Sequence, residues 1–146
     1  MSGHRKLQRL GRLVDLRERE VERLSAEMAD KRIVRQRYLD NLARLEQLCE
    51  SSGQSGAQAL SPTLSLNVGG YKQAVMKMAD AHRLDLSLHE AQMQTTQRLM
   101  TVAAQRHEAL DQVLVRQRRG VQRFQNAREQ KRQDELAAQV WLRGRK

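Results

Sequence analysis

Residues 50–70 read ESSGQSGAQALSPTLSLNVGG, and they interrupt a chain that is otherwise rich in helix-forming residues. The stretch contains the single proline of the chain, Pro62, together with four glycines and one charged residue, Glu50. Proline cannot continue a helix from the preceding turn and glycine weakens helices, so this composition predicts a linker. We therefore expect one helix over 5–49, a linker over 50–70 and a second helix over 71–142.

The first of these helices carries a heptad repeat that starts at Leu7. Its a positions are Leu7, Val14, Val21, Met28, Arg35, Leu42 and Cys49, and its d positions are Leu10, Arg17, Leu24, Lys31, Tyr38, Leu45 and Ser52. Ten of these fourteen side chains are apolar or nearly so. This is the pattern of a helix that buries one seam against a partner helix.

The second helix shows two apolar stripes. One comprises Tyr71, Val75, Met78, His82, Met100, Ala103, His107, Leu110, Leu114, Val121 and Phe124, and the parallel one comprises Leu84, Leu88, Ala91, Leu99 and Val102. A strand-like alternation occurs at one place, Leu64, Leu66 and Val68, within the linker. A lone helix with a narrow apolar stripe is not stable in water and must cover it. The sequence therefore predicts an all-α protein, an elongated antiparallel two-helix coiled-coil hairpin that forms a single domain over 1–146.

The positive charge is concentrated at the two chain ends. Residues 1–20 carry a net charge of +3 and residues 116–146 carry +7, whereas residues 21–115 are neutral, in a chain of net charge +10. In an antiparallel hairpin the two ends lie together, so we expect a basic end and a neutral, looped end. The longer second helix should project beyond the first, leaving Val121, Phe124, Leu136, Val140 and Trp141 without intramolecular cover, which favours a protein partner.

Motifs for catalysis and cofactor binding are missing from the sequence. It contains no phosphate-binding loop, no dinucleotide fingerprint and no nucleophile elbow. His82 and His89 are seven residues apart, too far for one zinc ion on a helix, and Cys49 stands alone at an a position. We expect no enzyme, no cofactor and no metal site. The single cysteine, the missing signal peptide and the missing membrane span favour a cytoplasmic setting.

Three short motifs resemble the flagellar FliJ family. They are REVERLSAEM at 19–28, HRLDL at 82–86 with Met78, Val75 and Tyr71 preceding it at one-turn spacing, and EQKRQDELAAQ at 129–139. The resemblance implies a non-enzymatic component of the flagellar type III export apparatus, similar to the central stalk of rotary ATPases. The implied partners are the hexameric export ATPase, the cytoplasmic domain of the transmembrane export gate and the export chaperones, at the inner membrane at the flagellar base.

The family resemblance also implies a gate-binding stripe at Tyr71, Val75, Met78 and His82. The charge pattern adds an expected ATPase-binding basic end on the second helix, formed by Arg116, Arg118, Arg119, Arg123, Lys131 and Arg132. We expect the joined termini to enter the ATPase ring and the looped half to meet the gate, with no nucleic acid and no small-molecule substrate. A generic coiled-coil scaffold and a basic nucleic-acid-binding coiled coil remain alternatives.

Overall fold

The computed structural model describes residues 2–56 and 61–145. These residues form two α-helices, α1 (Ser2–Gly56) and α2 (Pro62–Gly144), which pack against each other, and the described part of the chain contains no strand. The all-α hairpin prediction is confirmed. The chain divides into two compact units, a terminal unit of Met1–Glu22 with Val102–Lys146 and a central unit of Arg23–Thr101. The single domain over 1–146 stays a prediction.

The predicted linker over 50–70 is wrong in extent, because most of it is helical. α1 continues to Gly56 and α2 already begins at Pro62, so the alternation over 64–68 is helical as well. Ser61 explains the early start of α2, since its hydroxyl oxygen lies 3.5 Å from the backbone nitrogen of Leu64 and caps the helix. Pro62 then occupies the first helical position, where a missing N–H costs nothing. Residues 57–60 lie outside the described residues.

Two glycines inside α2 show that packing can outweigh a low helix propensity. Gly69 and Gly70 lie within the helix, although each glycine costs about 1 kcal/mol relative to alanine. Val68 just before them is half-buried, and Val75 just after them is buried. Packing of these apolar neighbours outweighs the weak helix propensity of the glycine pair, so a composition argument alone placed the boundary too late.

The heptad predicted for α1 is confirmed at every position. All fourteen a and d side chains are buried or half-buried, including the charged residues Arg17, Lys31 and Arg35. Cys49 is a free cysteine that is half-buried at its a position. The period of the apolar residues therefore identified the face of α1 that meets α2.

The matching seam on α2 follows alternating steps of three and four residues. Its buried or half-buried members are Val68, Val75, Ala79, His82, Leu86, His89, Met93, Thr96, Met100, Ala103, His107, Leu110, Leu114 and Val121. Two heptad positions within this series, Lys72 and Gln117, are exposed. In this register Ala79 and Leu114 occupy a positions of α2.

Side-chain pairs establish the antiparallel arrangement inside the central unit. The ammonium of Lys31 donates a hydrogen bond of 2.7 Å to the hydroxyl of Thr96, and Arg83 lies 3.4 Å from the carboxylate of Glu46. Residue numbers therefore rise along α1 while they fall along the facing part of α2. In the terminal unit, a Cβ built on Gly3 would lie 3.9 Å from a methyl group of Val121, which places the start of α1 opposite this residue.

The apolar stripes predicted for α2 need two corrections. Phe124, predicted to belong to the first stripe, is exposed because α1 begins opposite Val121 and offers no cover beyond it. The parallel stripe is also exposed: Leu84 and Leu88 lie on the side of α2 that faces away from α1, and Leu99 lies at a g position beside the seam. The second face is therefore surface and not part of the seam.

A distance between two exposed positions in the terminal unit tests the hairpin. We expect two spin labels in one chain, at Glu18→Cys and Asp111→Cys with Cys49→Ala, to lie about 20 Å apart, given helix packing near 10 Å and the length of the label arms. Pulsed electron paramagnetic resonance measures this distance. An excess of unlabelled protein serves as the control against pairs between molecules. A separation above about 60 Å within one chain would contradict the fold-back, since 93 helical residues in line would span still more.

Candidate partner-binding surfaces

The stripe Tyr71, Val75, Met78 and His82 lies on α2 in the central unit, and the structure divides it in two. Val75 is 4% exposed and His82 is half-buried, both at d positions of the seam. Tyr71 is 51% exposed and Met78 is 56% exposed. These two occupy the g positions that flank the seam. The spacing places all four residues on one side of the helix, but only Tyr71 and Met78 offer large side chains to a partner.

His82 is held within the hairpin by an aromatic contact. Its ring meets the ring of Tyr38 from α1 edge-on, with centroids 6.0 Å apart and an angle of 80°. His89, one heptad further, lies 5.8 Å from the same tyrosine ring and donates a hydrogen bond of 2.8 Å to the backbone carbonyl of Lys31. Both histidines therefore serve the helix–helix contact.

An open apolar groove lies beside Tyr71, between the end of α1 and the start of α2. It has a volume of ≈ 380 Å³ and is lined by Leu48, Ser51, Ser52, Leu64, Asn67, Val68 and Tyr71. Leu48 and Leu64 are large exposed apolar residues, like Tyr71 itself. Sequence reasoning missed both leucines. Leu48 is a g residue of α1, as Tyr71 is of α2. An apolar residue at this flanking position was the signal that could have identified Leu48.

The basic residues predicted on α2 are all exposed in the terminal unit. None of them forms an ion pair with any residue that the structure describes; they are Arg116, Arg118, Arg119, Arg123, Lys131 and Arg132. The structure brings four of them, those at 116–123, to the level of the α1 start, since Val121 faces Gly3. Lys131 and Arg132 lie further along, where α2 has no α1 side chain beside it.

Four basic side chains of α1 belong to the same region and were not predicted as site residues. Arg5, Lys6, Arg9 and Arg12 are exposed, and Arg9 and Lys6 line a groove with Val113 of α2. The charge count over residues 1–20 contained this signal. It could not assign the side chains to a surface until the helix register was known.

The end of α2 exposes aromatic and aliphatic side chains as expected, except at Val121, which was expected to be uncovered and is half-buried opposite Gly3. Phe124, Leu136, Val140, Trp141 and Leu142 are all more than half exposed. Two arginines cover part of the aromatic rings: the guanidinium of Arg128 lies 5.9 Å from the Phe124 ring centre, and that of Arg145 lies 4.5 Å from the Trp141 ring centre. A cluster of rings and arginines is typical of protein-binding surfaces.

Two negative findings apply to residues 2–56 and 61–145. No three histidine, cysteine, aspartate or glutamate side chains are grouped in a way that could hold a metal ion. Neither helix contains a segment that is long and apolar enough to span a bilayer.

These features define a class: an antiparallel coiled-coil hairpin with exposed apolar grooves and a basic surface. Residues 5–146 match the family model described as Flagellar FliJ protein, and the chain belongs to this family. It is therefore a component of the flagellar type III protein export apparatus, in a family that is not catalytic. No curated protein matches the chain in the comparison, and no solved structure does either.

The division of the stripe predicts a contrast in stability. Val75→Ala should lower the free energy of unfolding by about 2 kcal/mol, because it removes buried methyl groups from the seam. Tyr71→Ala combined with Met78→Ala should change it by less than about 1 kcal/mol, because surface truncations cost little. Urea unfolding followed by circular dichroism measures both. Equal losses for the two variants would mean that Tyr71 and Met78 belong to the core.

Proposed function

We propose that this chain is a stalk-like link of the flagellar export apparatus, which binds the export ATPase through its terminal unit and the export gate through its central unit. The observation that carries the proposal is the difference between the two units. The terminal unit has a net charge of +8, with 17 basic and nine acidic residues, and the central unit has +2, with ten basic and eight acidic residues. Unlike surfaces suit unlike partners.

The proposed ATPase contact uses the basic residues of α2. Arg116, Arg118, Arg119 and Arg123 extend over two turns with no acidic residue between them, since Asp111 and Glu129 are the nearest acids along the chain. Such a concentration of one sign attracts an acidic surface and raises the rate of encounter. Lys131 and Arg132 extend the basic surface along the part of α2 that α1 leaves uncovered. The exposed Phe124 and Trp141 offer apolar anchors beside it.

The proposed gate contact uses Tyr71 and Met78 directly. The groove beside Tyr71 supports this assignment, because a partner side chain can enter between Leu48 and Leu64 and become desolvated there. Val75 and His82 support this contact indirectly, because they hold this part of α2 against α1. Chaperones of the export apparatus are further proposed partners, and the proposed location is the cytoplasmic face of the inner membrane at the flagellar base.

Charge reversal at the α2 arginines tests the ATPase contact. Arg118→Glu, Arg119→Glu and Arg123→Glu together should slow association with the export ATPase about 10-fold or more at low salt and flatten its salt dependence, because steering acts on the association rate. The matched control reverses Arg32, Arg37 and Arg44, which are exposed in the central unit. Stopped-flow fluorescence measures the rates. If both triple variants slow association equally, net charge alone is responsible and the assigned surface is wrong.

Truncation of the two flank residues tests the gate contact. Tyr71→Ala with Met78→Ala should weaken binding to the cytoplasmic domain of the export gate by about 30-fold, since aromatic anchors dominate interfaces. Met76→Ala with Leu84→Ala is the control, because these residues lie on the same helix and are similarly exposed. Isothermal titration calorimetry measures the affinities. Unchanged affinity of the Tyr71 and Met78 variant would remove the gate from this surface.

A further inference from the structure

A second apolar groove lies in the terminal unit, between the first turns of α1 and the facing part of α2. It has a volume of ≈ 320 Å³ and is lined by Lys6, Arg9, Leu10, Leu13, Val113 and Gln117. Leu10 belongs to the seam, whereas Leu13 and Val113 stand beside it at 39% and 42% exposure. The groove therefore has an aliphatic floor and a basic rim.

The heptad register shows why this floor is unusual. Leu13 and Val113 both occupy g positions, which flank the seam and commonly carry glutamate or lysine in two-stranded coiled coils. Lys6 and Glu20, the neighbouring g residues of α1, follow that rule. A helix that is apolar at a, d and g has a face wide enough for two neighbours. Leu13 and Val113 widen the apolar face in this way at one g position of each helix, which favours contact with a third helix at the groove.

The charged side chains that line the groove, Lys6 and Arg9, are both basic. Residues 2–14 and 112–128 contain nine arginine and lysine side chains and no aspartate or glutamate. None of these nine takes part in an ion pair within the described residues. A second copy of this chain would present the same basic face and be repelled, so self-association through this groove is disfavoured. An occupant with carboxylates would neutralise Lys6 and Arg9 and complete their hydrogen bonds.

We propose that the groove of Leu10, Leu13 and Val113 binds an acidic amphipathic helix of the export ATPase. An aliphatic side chain of that helix enters between Leu13 and Val113, and its carboxylates pair with Lys6 and Arg9. This mode is helix-in-groove recognition, in which apolar anchors supply affinity and charges set the orientation. Single-stranded nucleic acid fits less well, because the groove lacks aromatic rings for base stacking. The proposal rests on the proposed function and adds α1 to the ATPase contact.

Two paired variants separate the apolar and the ionic parts of this contact. Leu13→Ser with Val113→Ser should weaken ATPase binding about 10-fold at every salt concentration, because it removes the apolar anchors. Lys6→Glu with Arg9→Glu should weaken binding most at low salt, because ionic contacts are screened. The control is Leu16→Ser with Val102→Ser, the same substitutions at exposed positions of the terminal unit outside the groove. Binding is measured by fluorescence titration with the purified ATPase, and circular dichroism verifies the helix content.

A labelling experiment locates the occupant independently of affinity. The variant Val113→Cys with Cys49→Ala carries one thiol, and the ATPase should slow its alkylation about 10-fold or more by covering the groove. An unchanged alkylation rate at saturating ATPase would overturn the proposal. A second result would also overturn it: both groove variants keep full affinity for the ATPase, while reversal of Arg118, Arg119 and Arg123 weakens binding. In that case the proposed function stands.

The remaining outcomes are also decisive. If the parent chain does not bind the ATPase at all, the proposed function fails, and the occupant named for this groove fails with it. If the groove variants lose binding to a single-stranded oligonucleotide or to anionic phospholipid vesicles but keep full affinity for the ATPase, the groove serves a different ligand and the proposal is overturned.

Discussion

The burial of one apolar seam between α1 and α2 is the interaction on which the rest of the structure depends. Neither helix is apolar enough to form a core alone, and each carries a stripe that water would destabilise. The core consists of small and medium side chains such as Val14, Leu24, Ala79 and Ala103, and no large described side chain is fully buried. A narrow seam of this kind leaves most of each helix at the surface, which is where binding takes place.

Polar side chains within the seam make the register specific. Thr96 is 3% exposed, and its hydroxyl accepts the hydrogen bond from Lys31, which also lies 3.3 Å from Glu27. A slip of one heptad would bring Lys31 opposite Ala103 and leave the Thr96 hydroxyl buried without this donor, a cost of about 1–3 kcal/mol. Among the described residues no buried side-chain nitrogen or oxygen atom lacks a hydrogen-bond partner. The polar layer therefore disfavours slipped pairings that the apolar residues alone would tolerate.

The positions that flank the seam explain how one hairpin presents several surfaces. In both units, g positions that could carry charges carry apolar residues instead, Tyr71 and Met78 in the central unit and Leu13 and Val113 in the terminal unit. Tyr71 lines one groove between the two helices, and Leu13 and Val113 line another. Because these side chains contribute little to the seam, they can be replaced with little loss of stability. Surface and core thus occupy adjacent positions of the same repeat.

The sequence by itself determined the helices, the antiparallel hairpin and the seam of α1, because heptad periodicity depends on local geometry that is the same in every coiled coil. It also indicated where the charge lies. Only the tertiary structure decided that α2 runs through Gly69 and Gly70, because the packing of Val68 and Val75 outweighed their low helix propensity. It also decided that Tyr71 and Val75, one turn apart, belong to surface and core, respectively. That difference depends on which face of α2 packs against α1. This is a property of the pair of helices, and the apolar stripe of one helix alone does not determine it.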